Sequence, residues 1–156
     1  MGINEEDKKD IMVGAILHDI GKIGIRDSVL SKPEKLTDEE KKIFDQHPAI
    51  GAKIMNPIEQ LEHIIPVIRY HHERYDGKGY PDGLKAGQIP IGARIVAVAD
   101  TFDAMTSDRP YRKALTGQTA AQEISRLSGE QFDPEVSKAF TEVYNKGKIK
   151  AAEERR

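Results

Sequence analysis

The stretch IGARIVAVADTFDAMTS, residues 91–107, is the most hydrophobic segment of this 156-residue chain, and it decides the fold. Ile95, Val96 and Val98 are β-branched and would also suit a strand. The segment is longer than a typical strand, however, so its length favours a helix. We therefore predict a buried central helix at residues 91–107.

The rest of the chain carries helix start and stop signals. Further helices are predicted over residues 5–20, 38–46, 58–73, 119–128 and 134–147. Asn4 can cap the first helix, and Thr37 with Glu40 forms a capping-box pattern at the start of the second. Pro48 should bend or restart the chain after the second helix, and Pro66 should kink or divide the third.

Two segments between the predicted helices are expected to form loops, at residues 25–36 and 76–90. The second is rich in glycine and proline, as tight turns are. No linker or internal repeat divides the chain, so we predict an all-α helical bundle forming one domain over residues 1–156. Its core should cover about 5–145, and the charged tail at 146–156 should fray.

Bulk composition limits the class of protein. The chain is 38% hydrophobic and 32% charged, and its net charge is -2, so neither DNA binding nor a membrane location is expected. It has no cysteine, which excludes disulfides and thiolate metal sites and leaves histidine and carboxylates as the strong metal ligands. No segment is typical of a signal peptide or a membrane span, and we expect a cytoplasmic protein.

Two carboxylates lie within the predicted central helix. An ionised Asp100 in such an apolar helix requires a cation, either a metal or, as a purely structural alternative, an arginine. Asp103 lies three residues later and should share a helix face with Asp100.

Histidines occur in a pattern that is typical of a metal site. His18-Asp19 and His71-His72 are adjacent pairs of ligand residues at predicted helix ends, and His47 is a fifth candidate. Metal sites in helical bundles are built from such side chains on facing helices. The remaining histidine, His63, is expected to be an ordinary core residue. Nitrogen and oxygen ligands suit iron, manganese, zinc, cobalt or nickel.

Three basic residues are candidates for phosphate binding. Lys22 follows the first ligand pair by one helical turn, although a solvated surface lysine is an equally good explanation. Arg109 and Arg112 follow the central helix, and arginine offers a planar fork that matches phosphate oxygens.

The motifs HDIGKIGI (18–25), HHERYDGKGYPDGL (71–84), IPIGARIVAVADTFDAMTSDRPYR (89–112) and GEQFDP (129–134) together closely resemble the HD-GYP family. The resemblance covers about residues 5–144. It implies an all-helical domain of the HD phosphohydrolase superfamily. It also implies metal-dependent hydrolysis of cyclic di-GMP, a bacterial second messenger, to linear pGpG and in some members to GMP.

The resemblance also assigns roles to residues. It implies metal ligation by His18, Asp19, His47, His71, His72 and Asp100, with Asp19 bridging two ions and contributing to catalysis. It implies a catalytic phosphate contact by Lys22 and substrate contacts by Gly79, Tyr80, Pro81, Asp103, Arg109 and Arg112. We expect two divalent ions, or three, with iron or manganese preferred over zinc, nickel or cobalt.

The sequence departs from the family pattern at one end. The family's domain normally begins with further helices that supply another histidine, and no histidine precedes His18. One ion should then lack a ligand, and uncovered apolar surface should favour self-association or marginal stability. The alternative function is a catalytically inactive module that binds cyclic di-GMP or a signalling protein such as a diguanylate cyclase domain. A general HD phosphohydrolase for mononucleotides is a weaker alternative, because simpler HD domains lack the glycine-rich loop and the RPYR motif.

Overall fold

The fold is all-α, as predicted. The computed structural model describes residues 2–108 and 112–151, and these contain no strand. The α-helices are α1 (Glu5–Leu17), α2 (Asp27–Leu30), α3 (Asp38–Phe44), α4 (His47–Met55), α5 (Ile65–Tyr70), α6 (Ile91–Thr106), α7 (Gly117–Arg126) and α8 (Pro134–Asn145). Short 3-10 helices lie at Ile20–Gly24, Glu59–Ile64 and Ala86–Gln88.

Helix α6 is the central helix, which confirms the prediction from residues 91–107. It packs against α1, α5, α7 and α8. Val98 and Phe102 are buried in a cluster with residues of α7 and α8, including Ile124 and Val136. A second cluster, around Met55, Ile64 and Ile68, joins α4 and α5 to α1. Asp100 therefore lies on the helix that connects both halves of the domain.

The predicted start signals act as expected. The Thr37 hydroxyl accepts a hydrogen bond from the Glu40 amide, and the Glu40 carboxylate accepts one from the Thr37 amide, which completes the capping box of α3. Pro48 lies in the first turn of α4 and Pro66 in the first turn of α5. Proline is favoured there because the first helical amides need no intrahelical acceptor. Pro66 thus divides the predicted 58–73 helix into a 3-10 helix and α5.

A close backbone crossing brings the segment after α1 against α4. A Cβ atom on Gly21 would lie 1.8 Å from the His47 carbonyl oxygen and 2.5 Å from the Gly51 amide nitrogen. No side chain fits in that space. Glycine at residue 21 therefore allows the two backbones to approach, and the approach sets the distance between Asp19 and His47.

Three expectations about local structure are wrong. Residues 25–36 are not all loop, because α2 forms within them and buries Val29. The first helix ends at Leu17, and the following turn is 3-10. His63 is not a core residue: its side chain is 51% exposed, and its Nε2 lies 3.0 Å from the Asp10 carboxylate.

The tail prediction is also wrong over part of its length. Ile149 packs against the α6–α8 cluster, and Ala151 is buried within it. Apolar side chains in a charged segment therefore fix its first part on the core. Residues 152–156 lie outside the described part of the chain.

The structure also bears on the expected uncovered apolar surface and on the expected absence of a membrane span. Met12, Ile16 and Ile23 are mostly exposed, so apolar surface is present near the end of α1. Within the described residues, no helix is long and apolar enough to cross a membrane.

Candidate metal centre

Three helix ends and one helix centre bring the predicted ligands together. His18 caps the C-terminus of α1 and Asp19 follows it, while His47 begins α4. His71 caps the C-terminus of α5, with His72 next in the chain. Neighbouring rings in this set have centroids 4.1–5.4 Å apart. Asp100 completes the cluster from α6.

Three of the histidines are oriented in the same way. The ring Nδ1 of each forms a hydrogen bond with the backbone carbonyl three residues earlier. These bonds join His18 to Ala15 (2.6 Å), His47 to Phe44 (2.8 Å) and His71 to Ile68 (2.7 Å). A carbonyl only accepts, so Nδ1 must carry the proton in each ring. In the neutral tautomer, Nε2 then carries a free lone pair that points into the cluster.

The Nε2 atoms of His18, His47 and His71 are buried and have no hydrogen-bond partner. A buried polar atom without a partner costs about 1–3 kcal/mol, so such atoms are rare unless they serve a ligand. Backbone-oriented imidazoles with a free Nε2 are the usual arrangement of histidine metal ligands. The donor set therefore fits divalent metal ions.

The carboxylates complete the ligand set. Asp19 Oδ2 lies 3.3 Å from His18 Nε2, and its Oδ1 lies 3.4 Å from His47 Nε2. Asp100 Oδ1 lies 3.6 Å from His18 Nε2. The two oxygens of Asp19 thus face two different histidines, which is the geometry that a carboxylate bridging two ions needs.

Two groups of three residues have ligand atoms within 4.8 Å of one another. One consists of His47, His71 and His72, and the other of His18, Asp19 and His71. His71 belongs to both groups, but its Nδ1 is bonded to a backbone carbonyl, so it has one nitrogen to offer and can bind one ion. Asp19 is consequently the better candidate for a ligand shared by two ions.

The pKa values of His18 and Asp19 shift in opposite directions. The carboxylates of Asp100 and Asp19 raise the pKa of His18 to about 10. Burial would raise the pKa of Asp19, but the facing His18, His47 and Lys22 outweigh it and hold that pKa well below its usual range.

The two adjacent histidines behave in the opposite way. Burial lowers the pKa of His71 to about 4, and burial with repulsion from neighbouring imidazoles lowers that of His72 to about 3. Both are neutral near pH 7, as metal-ligating histidines must be.

Residues 79–81 form one wall of the cluster. A Cβ on Gly79 would lie 2.3 Å from the Arg74 amide nitrogen, so only glycine lets the loop approach the backbone after His72 so closely. The Tyr80 amide then donates to the His72 carbonyl at 3.3 Å. The Tyr80 ring lies 4.9 Å from the His72 ring, and the peptide bond between Tyr80 and Pro81 is cis.

Comparison with known proteins identifies the family of the chain. The family model for the HD domain matches residues 1–136. A cyclic di-GMP phosphodiesterase of Thermotoga maritima is 48% identical over 159 aligned residues, which cover 95% of this chain and 43% of that protein. This chain belongs to the HD-GYP family.

Two further proteins agree with the HD-GYP assignment. A cyclic di-GMP phosphodiesterase response regulator of Xanthomonas campestris is 48% identical over 86% of this chain and 36% of its own length. The crystal structure of a cyclic GMP-AMP specific phosphodiesterase of V. cholerae has the same fold, with a TM-score of 0.69 at 19% identity, over 92% of this chain and 40% of that one. The chain thus spans less than half the length of these proteins.

The glycine-rich loop at residues 76–90 is held by two carboxylates, those of Glu73 and Asp82, whose role was not predicted from the sequence. Glu73 is buried, and its Oε1 accepts hydrogen bonds from the amides of Asp82 and Gly83 at 2.8 and 3.0 Å. Asp82 in turn forms a two-point ion pair with Arg69. The available signal for Glu73 was its place directly after His71 and His72, which are expected to be buried. A carboxylate buried there needs hydrogen-bond donors from the neighbouring loop.

The predicted substrate residues have different surroundings. Lys22 Nζ lies 2.5 Å from Asp19 Oδ2, at the edge of the cluster. Arg112 donates to the Ala104 carbonyl near the end of α6. Asp103 lines an apolar groove between α6 and α8. Arg109 lies outside the described residues, so its predicted role, like those of Asp103 and Arg112, stays a prediction.

Helix α3 contributes residues that sequence reasoning also missed. The Phe44 carbonyl orients His47, and the Phe44 ring lies 5.6 Å from Lys22 Nζ. Lys41 and Asp45 form an ion pair beside Tyr80, with Lys41 Nζ 5.3 Å from the centre of the Tyr80 ring.

Proposed function

We propose that this chain is a metal-dependent phosphodiesterase domain that hydrolyses cyclic di-GMP to linear pGpG, with GMP as the product of a second cleavage. The observation that carries the proposal is the set of three buried Nε2 atoms without partners, on His18, His47 and His71, directed at a carboxylate whose two oxygens face different histidines. Relatives named cyclic di-GMP phosphodiesterases, at 48% identity, support the substrate.

The proposed metal ligands are His18, Asp19, His47, His71, His72 and Asp100. Two divalent cations, or three, would bind there, with iron or manganese preferred and zinc, nickel or cobalt as alternatives, because the donors are nitrogen and oxygen. When bound, such cations lower the pKa of water and offset charge on phosphoryl oxygens.

The chain's own residues orient the substrate in this proposal. Lys22 presents a point charge next to Asp19, where one phosphate would lie, and Arg112 and Arg109 would hold the second phosphate of the cyclic dinucleotide. Gly79 and Pro81 shape the loop wall, and Tyr80 and Asp103 are the candidates for contacts with the bases. Preorganised cations of this kind act on charge that develops at phosphorus and are worth several kcal/mol in comparable reactions.

The domain boundaries and location belong to the same proposal. We propose one domain over residues 1–156, and a cytoplasmic location is compatible with a chain without cysteine. Candidate partners are cyclic di-GMP, a second copy of the chain and signalling proteins such as diguanylate cyclase domains.

The test compares His18→Ala with Asp19→Ala and with a control, His63→Ala. His63 also faces a carboxylate, that of Asp10, but it is exposed and lies outside the cluster. Both cluster variants should lose Mn²⁺-dependent hydrolysis of cyclic di-GMP and keep the helical circular dichroism signal, whereas the control should hydrolyse like the wild type. Unchanged turnover in His18→Ala or Asp19→Ala would refute the proposal.

The second candidate function is an inactive module that binds cyclic di-GMP or a signalling protein. The observation in its favour is the exposed apolar surface of Met12, Ile16 and Ile23 near the end of α1, which offers a docking surface for a signalling protein. Nucleotide binding without hydrolysis in Mn²⁺ and in ferrous iron would select this candidate. Cyclic GMP-AMP serves as the comparison nucleotide, because the V. cholerae fold neighbour is specific for it.

A further inference from the structure

His72 is held differently from the other clustered histidines. His18, His47 and His71 each donate from Nδ1 to a backbone carbonyl, and within the described residues the His72 ring forms no such hydrogen bond. Helix α5 ends at Tyr70, and His72 lies beyond its C-cap, where the helical relation to the third residue back is lost. Another contact must therefore set the orientation of this ring.

The His71 and His47 rings lie beside the His72 ring, with centroids 4.1 and 5.0 Å away, and the contact from outside the histidine set is the Tyr80 ring. Its centroid lies 4.9 Å from that of His72, and the ring planes are inclined by 33°. Offset packing of this kind is favourable for aromatic pairs. The Tyr80 main chain is fixed on the same residue, because its amide donates to the His72 carbonyl. Backbone and ring of Tyr80 thus both contact His72.

Helix α3 holds the Tyr80 ring in turn. Lys41 Nζ lies 5.3 Å from its centroid, within the range of a cation–π contact. Lys41 is paired with Asp45 one turn later, at the C-cap of α3. Tyr80 therefore connects an exposed ion pair to a ligand of the cluster.

We propose that Tyr80, supported by Lys41 and Asp45 of α3, is a positioning residue that holds the His72 imidazole in its ligating orientation. The inference rests on the proposed metal centre, and it changes the role expected for Tyr80. A residue that contacts a guanine would alter the KM for cyclic di-GMP. A residue that orients a ligand alters metal affinity first.

The expected effects follow from what each substitution removes. Tyr80→Leu removes the ring and should weaken the Mn²⁺ site that contains His72 on the order of tenfold or more, as loss of a residue supporting a metal ligand does. Tyr80→Phe keeps the ring, and Lys41→Met removes the cation–π contact together with the exposed ion pair to Asp45, so each should weaken that site by about two- to fivefold. Lys42→Met is the matched control, because Lys42 is the exposed neighbour on the same helix.

Three measurements separate this proposal from the metal centre itself. In the metal-free protein, ¹³C relaxation of the His72 ring C–H groups reports how well the imidazole is ordered. Titration calorimetry with Mn²⁺ reports the affinity of each site, and kinetics at saturating Mn²⁺ give kcat and KM. The first measurement requires neither bound metal nor hydrolysis, so it stays informative even when the proposed function fails.

The His72 ring should be disordered in Tyr80→Leu and ordered in Tyr80→Phe and in Lys42→Met. Tyr80→Leu should also lose Mn²⁺ affinity, and its kcat should largely recover at saturating Mn²⁺. An equally ordered His72 ring in Tyr80→Leu overturns the proposal. Wild-type Mn²⁺ affinity with a raised KM for cyclic di-GMP also overturns it, and would assign Tyr80 to the substrate instead.

Discussion

Replacement of Gly21 by alanine should disrupt the candidate metal centre without changing any ligand. The added Cβ would meet the His47 carbonyl oxygen at 1.8 Å and the Gly51 amide nitrogen at 2.5 Å. Both are backbone atoms, so no side chain can rotate away. To restore even a 3.0 Å contact, the turn carrying Asp19 must move from α4 by at least about 1.2 Å.

Two magnitudes follow from that displacement. Overpacking of a closed interior usually costs about 1–3 kcal/mol, and two backbone clashes favour the upper end. A loss of about 3 kcal/mol should lower the Tm by roughly 6–12 °C for a chain of this size. A shift of 1 Å between catalytic groups can cost on the order of a hundredfold in rate, so hydrolysis should fall at least that much.

Two other glycines provide a graded series. A Cβ on Gly24 would meet only the Ile50 side chain, at 2.9 Å, and Gly87 has no atom within 4 Å of its Cβ position. Gly24→Ala should therefore cost less than about 1.5 kcal/mol, and Gly87→Ala should be neutral or slightly stabilising.

Thermal unfolding and Mn²⁺ titration of the three variants form the assay. Destabilisation should increase from Gly87→Ala to Gly24→Ala to Gly21→Ala. Only Gly21→Ala should lose Mn²⁺ affinity. The reasoning would be refuted by a Gly21→Ala protein that unfolds at the wild-type temperature and binds Mn²⁺ as the wild type does.

Three further predictions concern single side chains. Glu73→Leu should lower the unfolding free energy by about 2–4 kcal/mol, because the amides of Asp82 and Gly83 lose their charged acceptor. Glu73→Gln keeps an acceptor oxygen and should cost less, and urea denaturation compares the two variants. Lys22→Met should lower kcat/KM for cyclic di-GMP about a hundredfold while the Mn²⁺ content stays constant, and an equal loss of metal would contradict a phosphate role. Asp133→Asn should destabilise the fold by about 2–3 kcal/mol at pH 7, because Asp133 is buried, pairs with Arg94 and caps α8. Burial would raise the pKa of Asp133, but Arg94 and the α8 amides outweigh it and lower that pKa. The contribution of Asp133 to stability is therefore present above about pH 4, the usual aspartate pKa, and is lost as the pH falls through the folded-state pKa. Denaturation from pH 7 to 3 should show the unfolding free energies of the variant and the wild type converging.

The sequence was most informative where one residue controls the local backbone. The Thr37–Glu40 capping box predicted the start of α3. The prolines at 48 and 66 predicted interruptions, which the structure has as the first turns of α4 and α5. Helix α2 escaped prediction because four residues are too few to show a helical period. Ile149 and Ala151 escaped it because the charged residues around them hide a short apolar contact with the core.

The candidate site shows the same division. The ligand types and their adjacency predicted a shared site for His18, Asp19, His47, His71, His72 and Asp100, and the structure brings them together. The supporting residues were not predictable in this way. Lys41 and Asp45, four apart on an exposed helix face, have the pattern of an ordinary surface ion pair, and only the fold brings Tyr80 beside them.

Anomalous diffraction from crystals of the Mn²⁺-loaded protein would test the central claim most directly. The account predicts two anomalous peaks, each roughly 2.0–2.4 Å from its ligands, with the Nε2 atoms of His18, His47 and His71 bound and the Asp19 carboxylate between the ions. Absence of peaks at saturating Mn²⁺, or peaks only outside this cluster, for example at His63 and Asp10, would contradict it.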